Sequence, residues 1–481
     1  MDKEISKNLK TAKQHFMDGN YHLAGPILEK LVNNNEMDAV TYHLLIICCA
    51  NMELYDDAYK YAIDAFSKFG SNKDIMADLI AVCIDIQNYT QAEDLCLQGL
   101  QFFPQDERLW ILMGNITEIL HQNEKLAQEC YQKVLENNPK SVANYHLGIS
   151  LYKTKNYAEA EKYLKQAIFY DSYNLDAVYG LAANYLCQRD TLNGSKYYLQ
   201  RLTEKYKNNI ETFWNGNFDK NQELSIIADQ GRGDVIQYSR YINRIAEKFK
   251  KLTIYIPDDL KILFQRNFTQ NNIKFETFSK KIKLEYGYPL SAFMFLDNDN
   301  FKNIPFSNGY LKCDEDKKKS YKNNYFNNDK IKIGLCWQAK GKGTKQAILR
   351  SLNLSQFENL LNLSDKVEFY SCLYNCDEEV LKQYKMTDLG NTFKDFEDTA
   401  SAITNLDLLI TVDTAIAHLA GALGVKTYLI LPYASDWRWF DNIKSTEWYD
   451  SIEIFKQEYG TLMQNQIDLI TDSVRKIYLE K

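Results

Sequence analysis

Three short segments hold the side chains that could do chemistry. The first is DQGRGDVIQYSR, residues 229–240. An apolar run (224–229) ends there, Gly231 and Gly233 bracket a tight loop, and a helical pattern (234–249) follows. Glycine permits backbone angles closed to other residues and lets a ligand approach the main chain. Asp234 at this junction is either an N-cap for the helix or a general base facing a cleft. The second is LDLLITVDTAIAHLAGALG, in which Asp413 and Thr414 close a buried strand and a helix begins at once. The free N–H groups and positive dipole end of such a helix suit an anion such as a diphosphate. His418 lies one turn further along the same face. It is the one histidine beyond the first 205 residues, and a structural role for it stands equally open. The third is a pair of loops. KGKGTKQAILRSLNL (340–354) offers glycines with Lys345 and Arg350 as phosphate contacts. PYASDWRW (432–439) sets Trp437 and Arg438 either to stack on a base or sugar or to close a lobe. Neither GxxxxGK[ST] nor GxGxxG occurs, so the common ATP and dinucleotide loops are missing.

These segments need a scaffold. From residue 206 onward, short apolar runs (224–229, 252–257, 331–337, 366–373, 406–412 and 427–432) alternate with helical stretches. Such βαβ patterning predicts parallel sheets covered by helices. The polar segment 313–330 reads as a linker or surface excursion, which divides the region into two Rossmann-like lobes, 206–325 and 326–481. Ligands of open α/β sheets bind beyond the carboxyl ends of the strands. The loops after Asp229, Trp337, Val412 and Leu431 are therefore expected to form the site.

The first 205 residues read differently. Ala24, Ala58, Ala92, Ala127 and Ala160 recur at spacings of 34, 34, 35 and 33, and one more step of 34 reaches Gly194. A tyrosine precedes four of them by three positions (Tyr21, Tyr55, Tyr89, Tyr157). A small residue where helices cross lets their backbones approach, and the ring fills the groove beside it. The register resembles that of tetratricopeptide repeats, helix–turn–helix units of about 34 residues. Such stacks form extended concave surfaces, so residues 1–205 are expected to bind a partner.

A net charge of −7 argues against a general nucleic-acid binder, which needs a basic surface. Apolar residues make up 45% and charged residues 25%, as in globular proteins. No run approaches the ~20 apolar residues of a membrane span. The ten cysteines show no CxxC pairs, and reduced thiols in a cytoplasmic protein are the simplest expectation.

The second half resembles bacterial glycosyltransferases of the heptosyltransferase-like group that carry N-terminal tetratricopeptide repeats. The matching residues are Trp214-Asn-Gly216, Asp229-Gln-Gly231-Arg-Gly233-Asp234, Ile236 through Tyr241, Gly334-Leu-Cys-Trp337, Val412 through Gly424 and Asp436 through Trp439. Asp229 stands where that group has Glu, and Arg232 where it has an apolar residue. The resemblance implies a GT-B fold and an inverting, metal-independent transfer from a nucleotide sugar, with no other cofactor. It implies Asp234 as catalytic base. It implies donor binding by Gly231, Gly233, Trp337, Lys345, Arg350, Asp413, Thr414, His418, Trp437 and Arg438, with no metal ligand. The acceptor is expected to be a protein or surface glycan presented by the repeats. The alternative is a non-catalytic repeat scaffold with a degenerate GT-B domain.

Overall fold

A computed structural model describes residues 3–34, 38–279, 281–296, 300–339, 345–441 and 444–480. By compactness the chain divides into two units, one running to Ser172 and the other from Tyr173 onward, residues 342–345 excepted. This division falls before residue 205.

In the first unit the described chain folds into antiparallel helical pairs from Lys3–Met17 to Tyr157–Tyr170 and holds no strand. Asp38, Asn72, Asp106 and Asn123 each accept a backbone N–H from the first turn of the helix they precede, which fixes where these helices start. The repeating alanines Ala24, Ala58, Ala92, Ala127 and Ala160 are each fully buried in the second helix of a pair. Glycines in first helices serve the same end: a Cβ on Gly148 would stand 2.7 Å from Leu164 Cγ. The single spacing of 35 also has a structural cause. Between Ala92 and Ala127 the chain makes a π turn, Thr117–His121, which absorbs one extra residue without breaking the stack.

The second unit opens with the helices Leu175–Cys187 and Thr191–Tyr206, the latter carrying Gly194. Tyr198 packs edge-on against Phe295 at 5.5 Å and Trp437 at 6.4 Å, which ties this pair to the α/β part. Eleven strands follow among the described residues: β1 Ile210–Phe213, β2 Glu223–Ile227, β3 Lys251–Ile256, β4 Ile273–Thr277, β5 Leu284–Pro289, β6 Ile331–Cys336, β7 Val367–Ser371, β8 Thr387–Asp388, β9 Leu408–Val412, β10 Thr427–Leu431 and β11 Ile452–Lys456. They form two sheets of order β1-β5-β2-β3-β4 and β11-β10-β9-β6-β7-β8. Every strand pairing is parallel. Two parallel sheets with helices are the α/β architecture that the alternation predicts.

Two expectations need correction. Residues 313–330 are no bare linker: Asp314 caps a helix, Glu315–Tyr325, by accepting the N–H groups of Asp316 and Lys317 at 2.9 Å. Lys317 then reaches Asp398 at 2.6 Å, and Phe326, 3% exposed, packs on Tyr370 at 4.6 Å, so charge and a buried ring hold the segment. The helix expected over 234–249 is broken into Arg232–Tyr238, a 3-10 turn Ser239–Tyr241, and Ile242–Ala246. The break lets Arg240 turn inward, where it is 2% exposed.

Candidate functional site

After β2 the chain passes Asp229, whose buried carboxylate accepts Ser291 N–H at 2.9 Å, Ser291 Oγ–H at 2.6 Å and Gln230 Nε2–H at 3.0 Å. Burial pushes this carboxyl up, opposed by the Ser291 bonds. Asp229 thus anchors the loop from behind. Gly231 then serves as N-cap of the helix Arg232–Tyr238. Asp234 is consequently the third residue of that helix, and the N-cap reading falls. Gly233 is required by a close approach: a Cβ there would lie 2.8 Å from His418 Cδ2 and 3.3 Å from Ala415 Cα. Here the first lobe's helix meets the helix Ala415–Leu423 of the second.

The ends of β9 and β10 supply the facing groups. Thr414 precedes the helix Ala415–Leu423 in extended conformation and makes no side-chain cap bond. The first-turn N–H groups of a helix have no intrahelical acceptor, and here that turn lines a cavity of about 670 Å³. Asp413, 3% exposed, receives Arg350 Nη1 at 3.4 Å. His418 is 2% exposed, its Nδ1 3.1 Å from Tyr449 Oη and its ring stacked on Trp439 at 5.2 Å. Burial drives its pKa well below 6.5, and Arg438 pushes it the same way, so the imidazole is neutral. Arg438 Nη2 meets Asp234 at 2.7 Å, and its Nε meets Asp436 at 2.9 Å. Burial opposes the guanidinium charge, but Asp234 and Asp436 outweigh it and raise its pKa. Asp234 itself is raised by burial, partly offset by Arg438.

One cavity therefore gathers Gly231, Gly233, Asp234, Arg350, Asp413, Thr414, His418 and Arg438. All four strand-end loops expected from the sequence contribute to it. Two expected donor-site residues do not line it. Trp337 is 3% exposed and points into the core between the cavity-lining Cys336 and Gln338. Trp437 is 1% exposed and packs on Phe301 at 5.9 Å. Burying such large rings outweighs any role at the wall. The side chain of Lys345 and the loop 340–344 lie outside the described residues. Sequence reasoning missed the contributions of Leu373 and Tyr374 after β7, of Phe393, and of Asp259. The strand-end rule would have found the first two, because KVEFYSCL was already read as a strand.

The neutral His418 carries a consequence for stability. As pH falls below 6.5, the unfolded chain takes up a proton that the folded protein refuses, so acid destabilises the fold. The loss attributable to this group is about 1 kcal/mol between pH 6.5 and 5.5, because the unfolded imidazole is only partly protonated there. Urea unfolding of wild type and His418→Gln between pH 6.5 and 5.5 checks it, and the variant is expected to show a flatter slope. Equal slopes would mean that His418 is protonated in the folded state.

Residues 142–172 match the family model described as tetratricopeptide repeat. No curated protein matches the chain. Among solved structures, a thermophilic tetratricopeptide-repeat protein of Thermus thermophilus is 15% identical, with 38% of this chain and 99% of that one covered at a TM-score of 0.35. PilF of Pseudomonas aeruginosa is 18% identical over 42% of this chain and 92% of that one, at a TM-score of 0.33. MamA from Desulfovibrio magneticus is 14% identical over 35% and 96%, at 0.30. Among the described residues no helix is long and apolar enough to cross a membrane. The repeat register, the buried alanines and the family match make the N-terminal ~200 residues a tetratricopeptide-repeat solenoid, which supports a role in protein–protein interaction.

Proposed function

We propose that the α/β part is a GT-B glycosyltransferase that moves a sugar, with inversion and without a metal, from a nucleotide-sugar donor to a protein or surface-glycan acceptor bound by the repeats in the cytoplasm. One observation carries the reading: a single cavity holds a carboxylate, Asp234, across from a helix start flanked by Arg350 and Arg438. Asp234 would take the proton of the acceptor hydroxyl as its oxygen attacks the anomeric carbon. The bond from that carbon to the diphosphate breaks, and attack from the opposite face inverts the centre. The first turn of Ala415–Leu423, with Arg350 and Arg438, would offset the charge that develops on the leaving diphosphate. Tyr374 and Phe393 on the cavity wall suit the flat face of a nucleobase.

A second reading, a non-catalytic repeat scaffold, draws on the ion pair of Asp234 with Arg438, since a carboxylate held by a guanidinium is a weaker base. Thermal melts with ADP, GDP, UDP and CDP and their sugar conjugates separate the two. A ligand at 100 times its Kd adds roughly 2.7 kcal/mol, so at least one conjugate is expected to raise Tm by several degrees, and to do so equally in EDTA. Stabilisation by none of them favours the scaffold. Stabilisation that EDTA abolishes and Mg²⁺ restores removes the metal-independent mechanism.

A further inference from the structure

Arg438 stands between two anions. Its own segment fixes the root of its fork: Asp436 accepts both the Arg438 backbone N–H at 3.1 Å and Nε–H at 2.9 Å. The Arg438 carbonyl in turn accepts Trp448 Nε1–H at 2.8 Å. What remains is the outer edge, and there Nη2 reaches Asp234 across the lobes at 2.7 Å. The same side chain lines the cavity with Thr414, Ala415 and Arg350, the groups that suit a diphosphate. A guanidinium edge matches one carboxylate or one phosphate in a two-point grip. Asp413 cannot release it from this competition, because that carboxylate faces Arg350.

Resting on the glycosyltransferase reading, we propose that Arg438 is a positioning residue shared in competition between the Asp234 carboxylate and the donor diphosphate. A diphosphate that draws the guanidinium takes the counter-ion away from Asp234, which becomes the stronger base when the donor is in place. Acceptor deprotonation is thereby tied to donor occupancy. Because the two anions compete for one guanidinium, weakening the hold of Asp234 on Arg438 should tighten diphosphate binding.

The test is calorimetric titration of the full chain with ADP, GDP, UDP and CDP, continued with whichever binds tightest. Asp234→Asn keeps the side chain's size, removes its charge and should tighten that nucleotide by about tenfold. A merely structural Asp234 gives unchanged or weaker binding, which overturns the proposal. Arg438→Lys keeps the charge but loses the fork, and should bind more weakly than wild type. Adding Asp234→Asn to it should then give little further tightening. Full tightening in that background would mean simple repulsion between Asp234 and the phosphates, and the sharing falls. Wild type that binds none of the four overturns the glycosyltransferase reading itself, whereas binding without tightening in Asp234→Asn overturns only the competition for Arg438.

Discussion

Asp234→Asn is expected to lower sugar transfer by about 10²–10⁴-fold, the usual contribution of a positioned base. The substitution preserves shape and can still accept a hydrogen bond from Arg438 Nη2, which lies 2.7 Å from the native carboxylate. It cannot take a proton from an acceptor hydroxyl. Because the residue sits at the third position of its helix with Gly231 as the cap, the loss cannot be ascribed to a failed N-cap. Steady-state turnover on a donor identified by the melts is the measurement, with near-unchanged Tm as the control for folding. Transfer within a few-fold of wild type would remove Asp234 from the chemistry and return the α/β part to the scaffold reading.

Arg240→Ala is expected to destabilise the second unit strongly. Arg240 Nε donates to the Gln237 carbonyl at 2.9 Å, and Nη1 donates to Pro305 at 3.2 Å and Trp448 at 3.0 Å. Its guanidinium lies 4.8 Å from the ring centres of Tyr310 and Tyr449 and 5.3 Å from that of Trp448. Truncation leaves a cavity among three rings and strips the Pro305 and Trp448 carbonyls of this donor, while that of Gln237 keeps Tyr310 Oη–H at 3.3 Å. Each orphaned acceptor costs about 1–3 kcal/mol and the cavity adds to it, so a loss of roughly 3–5 kcal/mol follows. Lysine should recover little, since one ammonium cannot reproduce the fork or its stacking. Chemical denaturation measures the difference, and a loss below about 1 kcal/mol would contradict it. The damage should spread to the candidate site as well, because Tyr449 holds His418 Nδ1 at 3.1 Å.

Legibility followed the range of the interaction. The alanine register was readable because each repeat packs on its sequence neighbours, so one small residue every 34 or so must recur wherever helices cross. Even its irregularity had a local outcome, the π turn at Thr117–His121. Strands β2, β3, β6, β7, β9 and β10 were readable as apolar runs; β9 and β10 are buried along their whole length, and strands buried on both faces carry little but apolar residues. β1, β4, β5, β8 and β11 were not read; β4 and β11, at the sheet edges, alternate exposed and buried positions and carry polar residues, and β8 is only two residues long.

By itself, then, the sequence determined a repeat solenoid followed by parallel α/β structure, and it determined that the chemistry-bearing residues stand at strand ends. Only the tertiary structure decided which of them face one cavity. It sent Trp337 and Trp437 into the core and left Arg438 at the wall, although Trp437 and Arg438 are adjacent, because packing assigns neighbours on a turn to opposite sides. It joined Asp234 to Arg438 and Gly233 to His418 across the lobes. Those pairs depend on strand order and on how two sheets approach, and no local pattern encodes a contact between residues so distant along the chain.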